Sequence, residues 1–349
     1  MKVNQRHYQT IWYHDGEVHM INQLLLPFHF AVFKTKTYEE TCTAIKTMIV
    51  RGAGAIGAAA GFAMAQAART APESGYLDYI TKAANVIKCS RPTAYNLFYT
   101  VEAVFAAALN GKKQAEDVAR KLASENIEDG RQIGLHGLSL IKPDMHILTH
   151  CNAGWLAFVD WGSALAPIFQ ASRKGLNPFV WVGETRPRGQ GARLTAWELY
   201  NEGIQHAIVA DNAVASLMTN GKIDMVITGA DRIALNGDTA NKTGTLDRAI
   251  LAHYFRIPFF VAAPGSTFDP LCETGAGIPI ESRDQDEVKY QEGPDESDVI
   301  RRINVTNPAS TAINPAFDIT PASLINGIVT EKGIINPCRS DILQFLKID

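Results

Sequence analysis

Cysteine is scarce in this chain of 349 residues, and what there is lies scattered: Cys42, Cys89, Cys151, Cys272 and Cys338 are odd in number and form no Cys-x-x-Cys pair. That argues against a disulfide framework or a zinc ribbon and for a reducing compartment. Basic residues do not outnumber acidic ones, 33 against 36, and they gather into no dense run. A net charge of -3 therefore gives no electrostatic footprint for nucleic acid. Long apolar runs are missing too. The longest uncharged stretch, Ala53 to Ala68, is rich in alanine and glycine and falls short of the ~20 residues that a membrane span needs. No apolar core follows Lys2, Arg6, His7 and His14, so no secretory signal is expected and the chain reads as cytoplasmic.

What is present is an ordinary globular composition, 46% hydrophobic and 20% charged, with length enough for two domains. Residues 1–140 read as a small N-terminal domain of short strands and a helical bundle. Its strands are Thr10–Tyr13, Glu17–Ile21 and His29–Phe33, the first two joined by an Asp15-Gly16 hairpin signal. Helices follow from Tyr38, from Gly52 to about Ala68, from Tyr76 to Ile87, from Thr93 to Leu109 and from Gln114 to Ile141. After Lys142-Pro143 the texture becomes strand, loop, helix, repeated. The apolar runs Met145–Leu148, Pro178–Val182, His206–Val209, Met225–Ile227 and Pro258–Ala262 are apolar throughout, as strands of a parallel sheet covered on both faces are. The expectation is an α/β protein whose residues 141–349 form a Rossmann-like parallel sheet. The acidic stretch from Asp284 to Asp298 reads as a surface excursion, and a final strand is expected near Ile328-Val329.

Parallel strands bring their carboxyl ends to one edge, where open α/β sheets keep their ligand chemistry. Those ends carry His150-Cys151-Asn152, Glu184-Thr185-Arg186, Asp211-Asn212, Gly229-Ala-Asp231-Arg232 and Ala263-Pro-Gly-Ser266. Taken alone, Cys151 reads first as a small buried hydrophobe. Placed after a strand and before a helix expected near Gly154, it becomes a candidate thiolate, lowered by a helix N-terminus. Asp231 alone fits a helix cap as readily as an acid. Arg186, Arg188 and Arg193 surround Gln190 in a loop suited to phosphate or carboxylate oxygens, at least one of them serving equally well in a surface ion pair. His136, His146 and His150 match no metal-ligand spacing.

Arg51-Gly-Ala-Gly-Ala-Ile-Gly57 spells the dinucleotide string G-x-G-x-x-G, but it follows a helical pattern, and the nearest acidic candidate, Glu73, sits in a loop. The string is better read as a helix N-terminus whose amides, with Arg51, hold one phosphate group. Ser90-Arg91-Pro92-Thr93 offers a second arginine at a helix head.

These stretches carry a likeness. Arg51-Gly-Ala-Gly-Ala-Ile-Gly, Ser90-Arg-Pro-Thr-Ala, His150-Cys-Asn-Ala-Gly, Glu184-Thr-Arg-Pro, Gly229-Ala-Asp-Arg, Asn236-Gly-Asp and Asn241-Lys242 resemble, in order, the motifs of the methylthioribose-1-phosphate isomerases. Asn314-Pro-Ala-Phe-Asp and Val329-Thr-Glu-Lys-Gly resemble the family's C-terminal part. The resemblance implies an isomerase of methionine salvage that converts 5-methylthioribose 1-phosphate to 5-methylthioribulose 1-phosphate, a homodimer needing no cofactor or metal. It implies Cys151 and Asp231 as the catalytic pair, and substrate contacts from Arg51, Gly52, Ala53, Arg91, Gln190, Asn241 and Lys242. Asp231 would be the acid that opens the sugar ring, and Cys151 a thiolate base or an assisting residue beside a direct hydride shift.

Three departures stand out. Gly54 replaces the family's usual proline, Trp155 and Asp160-Trp161 stand where smaller residues are common, and Tyr290 to Ser310 is longer than usual. With Trp155 expected to line the pocket around the sugar's 5-substituent, 5-deoxyribose 1-phosphate stays open as a substrate. Two rivals share the likeness: ribose-1,5-bisphosphate isomerases, and the non-catalytic regulatory subunits of the translation-initiation exchange complex, which bind sugar phosphates or nucleotides.

Overall fold

The turn residues Asp15-Gly16 do close a hairpin. Ile11–His14 (β1), Glu17–Ile21 (β2) and Val32–Thr35 (β3) form an antiparallel sheet of three strands. The third strand begins later than its apolar pattern implies, because pairing with β2 starts only where Val32 meets Ile21. The computed structural model describes residues 1–91 and 95–348, so Pro92 and Thr93 lie outside the described residues.

Against this sheet stand Tyr38–Lys46 (α1), Ala53–Thr70 (α2), Tyr76–Lys88 (α3), Tyr95–Ala108 (α4) and Lys112–Gly137 (α5). A capping box of Thr37 and Glu40 starts α1. Helix α2 is the centre of the bundle, buried without a break from Gly54 to Ala68. Its alanines and glycines have no polar face to turn outward, so neighbours cover it all round.

The second half carries the expected sheet. His146–Thr149 (β4), Phe179–Gly183 (β5), His206–Val209 (β6) and Met225–Thr228 (β7) are parallel neighbours, separated by Leu165–Arg173 (α6), Ala196–Asn201 (α7) and Val214–Thr219 (α8). The loop after β7, expected to be irregular, instead holds a hairpin of Arg232–Ile233 and Thr239–Lys242 (β8). Then come Thr245–Phe255 (α9), Phe259–Ala262 (β9), Phe317–Thr320 (β10), Gly327–Thr330 (β11), Gly333–Ile335 (β12) and Arg339–Leu346 (α10). Strand β10 pairs with β8, and β12 adds an antiparallel edge. The surface excursion is a hairpin, Tyr290–Pro294 against Ile300–Asn304, whose side chains are exposed or half-buried.

The spatial order of the large sheet is β6-β5-β4-β7-β9-β11-β12. The order reverses between β4 and β7, which is where a doubly wound sheet opens a crevice at its carboxyl edge. Along each strand successive residues point to opposite faces. Ile147, Met225 and Ile227 pack toward α6 and Leu165, whereas Leu148 and Val226 pack toward α8, α9 and α10. Both faces are therefore apolar, and the strands read as continuous hydrophobic runs.

Candidate active site

Cys151 follows β4 and Asp231 follows β7, the two strands that flank the reversal. Both line one cleft of about 1050 Å³, open mouth included, and so do Arg51, Gly52, Ala53, Arg91, Gln190, Asn241 and Lys242. All nine residues implied by the resemblance come together, drawn from both halves of the chain.

Each is placed by identifiable contacts. Thr185 Oγ1 accepts from the Cys151 amide at 2.8 Å, and Thr195 Oγ1 donates to its carbonyl at 2.7 Å. This grip holds Cys151 at φ 62°, a left-handed conformation that a residue with a side chain adopts only under constraint. The Asp231 amide donates to the Ala240 carbonyl at 2.9 Å, which fixes the acid against the base of β8. From β8 come Asn241, donating to Thr245 Oγ1 at 2.9 Å, and Lys242, whose ammonium sits 4.4 Å from the Phe317 ring.

The phosphate-binding expectation for Arg51-Gly52-Ala53 fits the geometry. Helix α2 has Gly52 as its N-cap with no side-chain cap, and no acidic residue in its first turn. Its first amides stay available to an anion. Gly52 has φ 90°, and a Cβ there would lie 2.3 Å from the Ala157 backbone. Arg51 is aimed by Asn152, donating at 2.6 Å to its side-chain oxygen and at 3.1 Å to its carbonyl. Arg91 stands 3.6 Å from Glu281. The Gln190 side-chain oxygen is buried without a hydrogen-bond partner, as an acceptor waiting for a ligand hydroxyl would be.

The electrostatics correct one expectation. No helix begins near Gly154; Trp155–Ala157 is a single 3-10 turn, and burial pushes the Cys151 thiol up, opposed by Arg51 and Lys242. Burial thus disfavours the thiolate that a helix N-terminus would have favoured. Burial also pushes Asp231 up, against the pull of Lys242, Arg51 and Arg91, and pushes Lys242 down, against the pull of Cys151 and Asp231.

Other expectations change as well. Trp155 does not line the cleft: it is fully buried, its ring 6.0 Å from that of Trp197. Asp160 pairs with the Met1 amino group at 2.8 Å, and the Trp161 ring stacks under Arg173. The apolar lining comes instead from Met48, Ile56, Phe158, Ile278 and Phe317. Of the three arginines around Gln190, only Arg188 lines the cleft, and it is paired with Glu287 at 2.9 Å. Arg186 donates to the Pro187 and Val288 carbonyls, and Arg193 to those of Leu24 and Leu26.

Nor do all five strand ends share the cleft. His150 is buried against Thr185 and the Thr243 carbonyl, and burial holds its imidazole neutral. Asp211 pairs with Arg248, and Gly265 and Ser266 face a second cavity behind α2. The residues that sequence reasoning missed are Arg283, at the start of the supposed surface excursion, and Glu198, in the middle of a helix. Burial pushes Glu198 up to about 7, against hydrogen bonds from Asn152, Leu156 and Trp155. An isolated glutamate among Ala196, Trp197 and Leu199 was the available signal.

Comparison with known proteins supplies the family and the fold. The profile of the Initiation factor 2 subunit family matches residues 49–337. A methylthioribose-1-phosphate isomerase of Sulfurimonas denitrificans is 44% identical over 353 residues, covering 97% of each chain. One from Brucella anthropi is 43% identical, over 97% of this chain and 96% of its own. Among solved structures, 5-methylthioribose 1-phosphate isomerase from Pyrococcus horikoshii superposes with a TM-score of 0.86 at 39% identity, over 99% of this chain and 97% of the other. A structure described as translation initiation factor eIF-2B subunit delta, from A. fulgidus, reaches 0.84 at 37%, over 98% of this chain and 100% of the other.

Proposed function

The chain belongs to the Initiation factor 2 subunit family, and from that membership and the contents of the cleft we propose that it isomerises 5-methylthioribose 1-phosphate to 5-methylthioribulose 1-phosphate. One observation carries the reading: a carboxyl group and a thiol from the strand ends beside the reversal line a cleft that also holds an uncapped helix N-terminus and a set of basic side chains that includes Arg51, Arg91 and Lys242.

The chemistry follows from the substrate. A sugar 1-phosphate has its anomeric oxygen blocked, so the ring opens only if an acid protonates the ring oxygen as the C1–O bond breaks. Asp231, whose pKa burial raises, is that acid. The phosphate stays on C1, bound by the α2 amides and Arg51. The hydrogen on C2 then moves with its electron pair to C1 while the C2 hydroxyl becomes the ketone and gives its proton to the Asp231 carboxylate left by ring opening, which restores the acid. Burial disfavours the Cys151 thiolate, which favours direct transfer of that hydrogen within the cleft over capture by a free thiolate. The thiol then acts by packing and hydrogen bonding beside C2. The apolar side chains Met48, Ile56, Phe158, Ile278 and Phe317 would seat the 5-methylthio group.

Assay of the purified protein with 5-methylthioribose 1-phosphate, 5-deoxyribose 1-phosphate and ribose 1,5-bisphosphate tests the reading. Turnover of the first, with the bisphosphate poor, is expected; preference for the second or third would replace the substrate. In deuterated water the product should carry no solvent label at C1, and deuterium there would restore Cys151 as a proton carrier. The likeness to a chain described as an initiation-factor subunit favours a second reading, sugar-phosphate binding without turnover. Binding of all three sugars with conversion of none would establish it. A homodimer is part of the proposal, and its check is a solution mass twice that of the chain.

A further inference from the structure

Glu198 has no exposed surface, and among the described residues it forms an ion pair with no cation. A lone carboxylate is costly to keep in a core. Everything it accepts comes from the short segment that follows Cys151: Asn152 Nδ2 at 2.8 Å, the Trp155 amide at 2.9 Å and the Leu156 amide at 3.1 Å. The chain leaves room for it there, since a Cβ on Gly154 would lie 1.8 Å from its Oε2. Asn152 is thereby oriented with its amide nitrogen on the carboxylate and its oxygen on Arg51. The same carboxylate caps the turn Trp155–Ala157, whose last residue abuts Gly52 at the head of α2. Helix α7, which carries Glu198, continues directly from the π-turn Gly191–Thr195 that follows Gln190. Such a turn is a frequent companion of functional sites.

We propose that Glu198 is a positioning residue for the phosphate end of the cleft, setting Arg51 through Asn152 and the α2 N-terminus through the Trp155–Ala157 turn. The proposal rests on the phosphosugar reading above, but it concerns anion binding and is measurable without turnover. Glu198 touches no substrate; replacing it leaves the Asn152 amide held by Thr195 Oγ1 alone and so loosens the side-chain oxygen against which Arg51 is set.

The test is calorimetric binding of inorganic phosphate, with kcat and KM for 5-methylthioribose 1-phosphate, in the wild type, Glu198→Gln, Asn152→Ala and the double variant. Each single variant should weaken phosphate binding and raise KM by about tenfold, the size of one charge-assisted hydrogen bond, with kcat changed less than about threefold. The double variant should be no worse than Glu198→Gln alone, because Asn152→Ala breaks only a link that Glu198→Gln has already lost. A folded Glu198→Gln protein with unchanged phosphate affinity, or a double variant whose losses multiply, would overturn it. If Glu198→Gln does not fold, Asn152→Ala, which leaves the bonds to Trp155 and Leu156 in place, decides in the same way. A wild type that binds phosphate but converts no sugar would sink the functional reading and leave this one standing.

Discussion

At the scale of single residues, the cleft separates what chemistry type reveals from what only burial can. Asp231→Asn should cut turnover by about 100-fold or more, the range of general acid catalysis, with substrate still bound. Burial raises the Asp231 pKa in the folded state, so ionising it costs stability as pH climbs from the ordinary carboxylate value to the raised one. The asparagine variant escapes that cost, and its thermal midpoint at neutral pH should not fall below the wild type's. Because the acid must be protonated, kcat should decline as pH rises through the same raised pKa. Lys242→Met removes the cation that opposes the shift and should move the decline to higher pH. A decline at the ordinary carboxylate pKa, or one unmoved in the variant, would remove Asp231 from the acid's role. Cys151 and Asp231 were legible as candidates because few residue types do such work and because they sit at strand ends, and Arg51 and Arg91 because they sit at helix heads. The charge state of Cys151 was not legible, since it depends on how much water the fold excludes. Trp155 misled for a related reason: a bulky side chain beside a site residue says nothing about which way it points, and this one turns into the core against Trp197.

At the scale of elements, short apolar runs announced the parallel strands, and a helical texture announced α3 and α5. Legibility failed where an element is made by its partner. Strand β8, with Thr239, Asn241 and Lys242, is polar by composition, and it is extended because it pairs with β10 some eighty positions later. The single turn after Gly154 is likewise held by Glu198, from a different part of the chain. The hairpin at Tyr290–Asn304 is the opposite case. Apart from the half-buried Tyr290, Gly293 and Asn304, its strand residues are exposed, and its arginine Arg302 stacks on Tyr290 within the hairpin itself. Replacing residues 292–302 by a two-residue Asn-Gly turn should shift the thermal midpoint by less than about 3 °C, as surface changes do. Turnover should be kept. A collapse of either would show that the hairpin supports the cleft through Arg186 and Val288.

For the whole molecule, the cleft is built from chain segments that no local pattern could join: α2 from the helical bundle, two strand ends from the sheet, and β8 from a side hairpin. The order β6-β5-β4-β7-β9-β11 could be anticipated as a class, because parallel strands with intervening helices wind this way, but which two ends would face each other depended on the reversal point. Gly52 against Ala157 is a tight join between the halves, with no room for a side chain. Gly52→Ala would force both a left-handed alanine and a clash, and should destabilise the protein by roughly 2–4 kcal/mol in denaturant titration. A loss below about 0.5 kcal/mol would mean that the halves yield easily at this seam.

The bare start of α2 has one more consequence. A helix that begins on glycine, with nothing of its own to receive the first amide protons, is unfinished until something else accepts them. If phosphate does so, the ligand becomes the missing end of the helix, and docking and local ordering are a single event. Amide deuterium uptake at residues 53–56 should then slow when phosphate is added, while uptake along the far end of the same helix stays as it was.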